Sequence, residues 1–396
     1  MTHPDPPRGF AEKEFEERVE SAQNLMQENA LSALLLCTEA EVRYFTGFHT
    51  PFWQSPTRPW FLILPLNGKP VAVIPSIGEV SMKETWIDDI RTWSSPNPSD
   101  EGVSLLSNTL NEILAISSNQ SNSGLEIGLP MGNETHLRMP LVDFTKLKEM
   151  IHPHTFTDAT EIIKSLRSVK SEAEINKISK ICEIVSNGFA SLPDLLNVGM
   201  TEREAFKAFR LKLLELGADE VPYLVGATGS GFSDIIKQPS DRVIQPGDLV
   251  MFDTGSTYDG YFSDFDRNMA FHFADDKAKY AYQIVWEATE AALKLASPGK
   301  TTTDLWAAMG SVLETESTRN ESVGRFGHGL GMQVTEWPSN TANDATLLQE
   351  GMVLTVEPNL TWGDGHIMVH EENFVVRADG IELLSRRAAS ELQIIS

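Results

Sequence analysis

The sequence predicts a mixed helix and strand protein of the α+β class, divided into two domains. Its 396 residues are enough for two or three domains at roughly 150 residues each. Strand-like and helical segments alternate up to about residue 150, which is typical of a small α/β domain. From Thr157 the chain reads as long charged helices followed by hairpins. We therefore expect an N-terminal domain at residues 1–157 and a C-terminal domain at residues 158–396.

The N-terminal segments carry clear periodic signals. The acidic, amphipathic stretch 10–30 predicts a helix, and the apolar run 33–37 predicts a buried strand. Residues 60–65 and 70–74 predict two further strands, because both are short, apolar and bounded by turn-forming residues. Asn67-Gly68 lies between these two strands and is a strong hairpin signal.

The C-terminal region predicts helices first and hairpins later. Gly217 closes the second helix as a residue suited to the left-handed conformation just beyond a helix end. The predicted helical stretches are 159–190 with a break near 168–171, 202–216, about 276–296, and about 303–317.

The charge balance excludes several classes of function. The chain has 32 Lys and Arg against 56 Asp and Glu, a formal charge of −24. Nucleic acids and anionic membranes favour basic partners, so we expect neither to be a ligand. Two distant cysteines, Cys37 and Cys182, form no disulfide framework. The first residues show no secretory signal pattern, so we expect a cytoplasmic protein.

Two hairpins each bring acidic residues together. In the segment 249–266, folding the chain about residue 258 or 259 sets Asp253 opposite Asp264. In the segment 353–376, the Gly363–Gly365 turn sets Glu357 opposite Glu371.

These opposed pairs indicate a metal site. Like charges directly across two strands are destabilising, and closely spaced carboxylates cannot both ionise cheaply without a counter-charge. Divalent cations would neutralise the four acids. The alternative is that the acids are exposed residues beside turns, which is the usual position of Asp and Glu.

His328 is a fifth candidate ligand. It lies in the sequence Phe326-Gly327-His328-Gly329-Leu330-Gly331, where glycines on both sides let the backbone approach its neighbours closely. Imidazole is a common metal ligand, although a single histidine can equally be structural.

Taken together, this pattern resembles the pita-bread metallohydrolases, the family of methionine aminopeptidase, Xaa-Pro aminopeptidase, prolidase and creatinase. The resemblance rests on Asp253 and Asp264 eleven residues apart, the Gly-His-Gly-Leu-Gly frame, Glu357 before Pro358, and Glu371. It extends over about residues 160–390, while Arg43–Phe48 resembles the smaller domain of the creatinase and Xaa-Pro aminopeptidase branch. The expected architecture is thus a pita-bread catalytic domain preceded by a creatinase-like domain.

The resemblance implies two divalent ions, of Mn, Fe, Co or Zn, held by five ligands. These are Asp253, Asp264, His328, Glu357 and Glu371. It further implies that a metal-bridging water is the nucleophile and that Glu357 takes the proton from this water.

Three departures from the family separate this sequence from the peptidases. Thr335, in Thr335-Glu336-Trp337-Pro338, replaces a histidine, and no histidine occurs between His154 and His272, where the peptidases have another. Asp266 stands where the family more often has Thr. It points to the same strand face as Asp264, where it could act as a base, tune the metals or bind a cationic substrate. The alternative is a salt bridge to Arg267 or another basic residue.

Several further residues are candidate substrate contacts. Trp337, Trp53 and Trp60 could form an aromatic wall for a small cationic or cyclic compound, with Thr335 and Tyr261 as polar contacts. In creatinase relatives the smaller domain of one subunit reaches the partner's site, so the resemblance implies a homodimer.

Three functions stay open. The first is hydrolysis of a C–N bond in an Xaa-Pro dipeptide or a small amide or amidine. The second is a lyase resembling the pita-bread dimethylsulfoniopropionate lyase, suggested by Asp266 and the missing histidines. The third is a catalytically inactive binding module, against which the complete ligand set argues.

Overall fold

The computed structural model describes residues 5–117, 124–314 and 324–396. By their internal contacts these residues form two compact units, Pro7–Arg167 and Ser168–Ser396, the latter taking in Pro6. The predicted boundary after residue 157 falls before the helix Thr160–Ser168. The contacts assign this helix, as far as Arg167, to the first unit.

The N-terminal unit is a six-stranded mixed sheet with helices, in the strand order β4-β3-β2-β1-β5-β6. Neighbouring strands are antiparallel between β1, β2 and β3, and parallel between the other pairs. Its elements are α1 (Glu12–Glu28), β1 (Ala33–Leu36), α2 (Glu39–Thr46), β2 (Phe61–Pro65), β3 (Val71–Pro75), α3 (Glu79–Lys83), β4 (Asp89–Trp93), α4 (Val103–Ser117), β5 (Glu126–Leu129), α5 (Leu141–Met150), β6 (Thr155–Asp158) and α6 (Thr160–Ser168).

Local sequence signals account for these N-terminal elements. The predicted hairpin between β2 and β3 is confirmed, since Ile63 pairs with Val71 around the Asn67-Gly68 turn. The helix α2 begins with a capping box in which Thr38 and Glu41 satisfy each other's backbone N–H groups. Apolar side chains from one face of the sheet then pack against α4 and α5 in a core of this unit.

The C-terminal unit contains the elements of the candidate site. They are α7 (Glu172–Ala190), α8 (Leu192–Leu195), α9 (Glu202–Glu215), β7 (Glu220–Gly229), β8 (Leu249–Tyr258), β9 (Tyr261–Phe262), β10 (Phe265–Phe271), α10 (Asp276–Leu295), α11 (Thr302–Glu314), β11 (His328–Gly329), β12 (Glu336–Ser339), β13 (Val353–Val356), β14 (Asn359–Trp362), β15 (His366–Val369), β16 (Glu372–Arg377), β17 (Gly380–Leu383) and β18 (Gln393–Ile395).

The strands of this unit form two larger sheets and a ribbon. One sheet has the order β18-β10-β8-β7 with β9 added to β8, and the other has the order β12-β11-β13-β16-β17. The ribbon consists of β14 and β15. A continuous apolar core joins α10 and α11 to these strands, so the helices support the sheets from which the candidate ligands project.

Helix boundaries in this unit follow the predicted signals. The predicted break near residues 168–171 is confirmed, because Ser171 caps α7 together with Glu174. Gly217 follows the end of α9 with a φ of 110°, a conformation that favours glycine. The predicted helix 303–317 is observed to Glu314, and its last three residues lie outside the described residues. In the described ranges no helix is long and apolar enough to cross a membrane.

Candidate metal centre

The first acidic hairpin folds one residue later than predicted. Strand β8 pairs with β9 and β10 so that Tyr258 lies opposite Tyr261 and Asp253 lies opposite Asp266. The expectation that Asp264 stands directly opposite Asp253 is therefore wrong. Asp264 is two residues from Asp266 on the same strand and so lies diagonally across from Asp253, on the same face.

The turn chemistry explains this shift. Asp259 and Gly260 form a two-residue turn, with φ values of 49° and 78°. Asp-Gly is one of the sequences that favours this tight turn with positive φ at both positions. A two-residue turn moves the pairing by two positions relative to the predicted one, and it adds Asp266 to the face shared by Asp253 and Asp264.

The second acidic hairpin folds as predicted. Asn359 pairs with Val369 in the ribbon, and Val356 pairs with Glu372 in the neighbouring sheet. Both pairings belong to one continuous register, and this register sets Glu357 opposite Glu371. The three-residue turn Gly363–Gly365 closes the hairpin between Trp362 and His366.

His328 is held by close contacts between main chains. A Cβ atom added to Gly327 would lie 2.3 Å from the Thr355 carbonyl oxygen, and one added to Gly329 would lie 2.0 Å from that of Trp337. No residue with a side chain fits in these positions. The imidazole Nδ1 lies 2.9 Å from the Gly329 carbonyl oxygen. A proton on Nδ1 leaves the lone pair on Nε2 available for a metal.

Three candidate ligand side chains converge in the buried part of the site. Asp264, His328 and Glu371 each contribute an atom to a group whose members lie within 4.8 Å of one another. The Nε2 atom of His328 is 3.4 Å from Oδ2 of Asp264. Asp253 and Glu357 are only partly buried, so the two remaining candidate ligands border the accessible side of the cluster.

Burial and mutual repulsion shift the pKa values of the acids upward. Burial raises the pKa of Asp253 to about 6. Burial, together with the charge of Asp253, raises the pKa of Glu357 to about 8. The pKa values of Asp264 and Glu371 are well above their usual range for the same two reasons. Burial and Arg325 lower the pKa of His328 to about 4, so its imidazole is neutral.

These residues fit a group of divalent cations. Oδ1 of Asp253, Oδ1 of Asp264 and Oε1 of Glu371 are buried, and none has a hydrogen-bond partner in the described part of the chain. Buried polar oxygens are nearly always paired in proteins, and carboxylates with a neutral imidazole are the donors that such cations bind. The acids therefore lack the positive charge that a cation would bring.

Comparison with known proteins supports this interpretation. Residues 176–378 match metallopeptidase family M24, and residues 18–169 match the creatinase/prolidase N-terminal domain. The chain belongs to metallopeptidase family M24. It is a metallohydrolase of the creatinase/prolidase branch, and the predicted succession of a creatinase-type domain and a pita-bread domain is confirmed. Membership of family M24 implies bound divalent metal ions.

Individual relatives resemble the chain over most of its length. The Xaa-Pro dipeptidase of Pyrococcus furiosus is 27% identical over 348 residues, covering 87% of this chain and 91% of that protein. The crystal structure of a prolidase from Thermococcus sibiricus gives a TM-score of 0.85 at 25% identity, covering 98% and 100% of the two chains. The N-terminal domain of the FACT complex subunit SPT16 from chickpea gives 0.76 at 16% identity over 98% and 100%, which shows the fold alone.

Around the candidate ligands lies a set of hydrogen-bonding residues that sequence reasoning missed. The hydroxyl of Tyr223 donates to Oδ2 of Asp253 at 2.8 Å, and Thr355 accepts from the His328 backbone N–H. Asn373 accepts from the Asp264 N–H at 2.9 Å. Thr355 and Asn373 could have been found, because each lies two residues from a candidate glutamate on the same strand face. Tyr223 is thirty residues from Asp253, on another strand, and had no such signal.

Asp266 is buried beside the candidate ligands, and both of its carboxylate oxygens accept hydrogen bonds from protein groups. Oδ1 accepts the Glu371 backbone N–H at 2.6 Å, and Oδ2 accepts the Asn268 side-chain amide at 3.0 Å. Arg267 donates to the backbone carbonyl of Asp266 rather than to its carboxylate. This geometry favours a role in holding Glu371 in place. A catalytic role for Asp266 stays a prediction.

Arg325 and Thr335 form a polar pair near the accessible side of the candidate metal centre. Nη2 of Arg325 donates to Oγ1 of Thr335 at 3.2 Å, and Trp337 is half-buried two residues away. The positive charge of Arg325 partly offsets the rise in pKa of Asp264 and Glu357. Thr335 thus contacts a guanidinium group whose charge acts on two of the candidate ligands. A role of Thr335 in substrate binding stays a prediction.

The other predicted substrate contacts lie inside the fold. Tyr261 is 1% exposed, and its hydroxyl donates to Glu174 at 2.9 Å. Trp53 and Trp60 belong to the N-terminal unit, where they are 7% and 1% exposed and pack against each other and against Phe48. These side chains expose little surface, and their contact with substrate stays a prediction.

Proposed function

We propose that this protein hydrolyses a C–N bond in a dipeptide of the Xaa-Pro type or in a small amide or amidine. The observation that carries the proposal is the cluster of five candidate ligands in which three buried carboxylate oxygens lack a partner. Burying these carboxylates without cations costs folding free energy, whereas bound cations would pair with them and form a catalytic centre. We further propose two ions, of Mn, Fe, Co or Zn, held by Asp253, Asp264, His328, Glu357 and Glu371.

The bound ions would supply Lewis acidity, which lowers the pKa of an attacking water and polarises the scissile carbonyl. The protein supplies the remaining functions. Glu357 borders the accessible side and makes no side-chain hydrogen bond to the described residues, so it is placed to accept the proton of the water and pass it to the leaving amine. Asp266 and Tyr223 hold Glu371 and Asp253, respectively, in position.

Arg325, Thr335 and Trp337 would bind the substrate. A guanidinium group is suited to a carboxylate, and a dipeptide carries one at its C-terminus. Thr335 fixes the orientation of Arg325, and Trp337 offers an apolar face for a ring. We propose that these three residues bind the substrate in place of the two peptidase histidines that this sequence lacks.

The test begins with the metal. Purified protein is stripped with a chelator, reloaded separately with Mn, Co, Zn or Fe, and assayed for amine release. The substrates are Xaa-Pro dipeptides, dipeptides without proline, cyclic amides and amidines. We expect release that depends on the metal, and equal activity in thoroughly stripped protein would refute the proposal. Metal content per chain and the molar mass in solution test the proposed two ions and homodimer, and fractionation of cells tests the cytoplasmic location.

The same assay separates the alternatives. Formation of acrylate and dimethyl sulfide from dimethylsulfoniopropionate would identify a lyase. Absence of both reactions, together with absence of metal-dependent stabilisation, would identify a binding module. No observation in the site favours either alternative, since both carboxylate oxygens of Asp266 already accept hydrogen bonds.

A further inference from the structure

One face of the second hairpin carries a row of polar side chains. Thr355, Glu357 and Asn359 occupy every second position and therefore point to the same face. Thr355 supports the backbone of His328, and Glu357 is a candidate ligand. Asn359 continues the row about 7 Å further along the strand. Side chains at the alternate positions, such as Leu360, belong to the apolar core.

Asn359 differs from the other buried asparagines of the described chain. Asn268 and Asn340 donate their side-chain amides to backbone carbonyl oxygens, and Asn373 accepts a backbone N–H. Asn359 is 2% exposed. Its Oδ1 is buried without a partner, as are those of Asn268 and Asn340, but those two side chains are held through their Nδ2 groups. Among the residues that the structure describes, nothing forms a hydrogen bond with its side chain.

A buried amide oxygen in this state is unfavourable for folding, because it has left water without gaining a hydrogen bond. A leucine of similar size would fill the position without this cost. The position of Asn359 also indicates a binding role, because Asn359 is the next residue after Glu357 on the face that carries the candidate ligands. A bound molecule that reaches along this face would supply the missing partner.

We infer that Asn359 is a specificity-determining residue that hydrogen-bonds the substrate on the strand face beyond Glu357. The inference rests on the proposed hydrolase function and narrows its substrate class. The substrate carries an N–H or O–H donor on one of the two residues or groups that flank the scissile bond, and this donor binds Oδ1 of Asn359. A site with a buried acceptor rejects analogues that lack the donor.

The test compares Asn359→Leu with a matched control, Asn340→Leu. Asn340 is a buried asparagine whose amide donates to the carbonyl oxygens of Phe326 and Thr355. Its replacement should lower the melting temperature of the metal-free protein. Asn359→Leu should keep or raise that temperature, because it removes an unpaired amide and breaks no hydrogen bond within the described protein.

Specificity is measured on pairs of compounds that differ by one donor. Asn-Pro is compared with Leu-Pro, and alanyl-hydroxyproline with Ala-Pro, on Mn-loaded wild type and Asn359→Leu. For at least one pair we expect the wild type to prefer the donor-bearing compound in kcat/KM, and Asn359→Leu to reduce that preference by about tenfold or more, mainly through KM. Unchanged preferences in both pairs, or a loss of melting temperature equal to that of Asn340→Leu, would overturn the inference.

A failure of the proposed function gives a different result. If wild type releases no amine from any compound, hydrolysis of this substrate class is refuted. Asn359 is then judged by thermal shift with the same four compounds. Stabilisation of wild type by a donor-bearing member, lost in Asn359→Leu, supports the inference, and equal shifts or none in both proteins overturn it.

Discussion

Two adjacent glutamates, Glu371 and Glu372, are buried in opposite electrostatic environments. Glu371 is 1% exposed, its Oε1 has no partner among the described residues, and its pKa is well above the usual range through burial and the neighbouring acids. Glu372 is 0% exposed, yet its pKa is far below the usual range. Arg267, at 2.9 Å, together with His370 and Ser385, more than offsets the effect of burial on the pKa there.

The difference shows how one strand serves both stability and function. Successive residues point to opposite faces, so Glu372 enters a closed network that also includes Ser385 and His370. The Glu371 carboxylate faces the other acids, and no cationic side chain among the described residues donates a hydrogen bond to it. One carboxylate is neutralised by the fold itself, and the other requires a cation from solution.

The largest effect on activity should follow from removing the carboxylate of Glu371, which has an oxygen without a hydrogen-bond partner among the described residues. We expect Glu371→Gln to lose bound metal and to lower amine release by more than about 100-fold, the upper end of the cost of losing an outer partner of a metal ligand. Metal-free Glu371→Gln should be at least as stable as metal-free wild type, because a like charge is gone. Elemental analysis, turnover and melting in chelator measure these results, and full activity in this variant would contradict the assignment.

The next prediction concerns the stability of the protein after replacement of Glu372, the glutamate that is paired with arginines. Glu372→Gln leaves Arg267 and Arg387 without their shared carboxylate, so we expect the free energy of unfolding to fall by about 3–5 kcal/mol. Urea unfolding of the metal-free protein measures the change. Glu371→Gln is the matched control on the neighbouring residue. A loss below about 0.5 kcal/mol, as for ordinary surface changes, would show that the network contributes little.

A smaller effect should come from replacing Tyr223, whose hydroxyl donates a hydrogen bond to the candidate ligand Asp253. Tyr223→Phe removes the hydrogen bond to Asp253, and we expect metal affinity to decrease about 10–100-fold. Competition with a metal-binding dye measures this affinity. Tyr258→Phe, on the strand that carries Asp253, is the control, because the Tyr258 hydroxyl donates to the Pro6 carbonyl. Equal affinities in both variants would remove Tyr223 from the metal site.

The smallest effect is a pH dependence confined to the metal-free protein. Glu357, with a pKa of about 8, keeps its proton in the folded state at pH 7 and has lost it in the unfolded state. The folded state binds more protons, so stability should fall as pH rises from 7 to 8. His328 and His370, both with a pKa of about 4, are neutral when folded and nearly so when unfolded in this range. Glu357→Gln should flatten the slope in calorimetric melts, and a rising slope in wild type would refute the assigned shift.

The sequence was most informative where turn chemistry was simple. Gly363–Gly365 predicted the register that sets Glu357 opposite Glu371, whereas the first hairpin was predicted to fold about residue 258 or 259 rather than at Asp259-Gly260. Asp-Gly favours a two-residue turn, and applying that rule would have placed Asp266 opposite Asp253. The nature of the ligand cluster was predictable despite this error, because a shift of two residues leaves every side chain on the same face.

Properties that depend on distant packing were not predictable. Nothing in the local pattern shows that Trp60 fills the N-terminal core or that Tyr261 donates to Glu174. The contrast between Glu371 and Glu372 is invisible in the sequence for the same reason, since it depends on Arg387 reaching back from a later segment. Such partners are set by tertiary structure, which one-sequence patterns do not encode.

The glycines beside His328 have a consequence for redesign. They bring main chain against main chain, at the carbonyl oxygens of Thr355 and Trp337, so the imidazole is positioned by atoms that every amino acid shares. Exchanging the side chains of Thr335 or Asn359 leaves this scaffold untouched. A library that varies those positions can therefore explore new substrates on an unchanged metal framework.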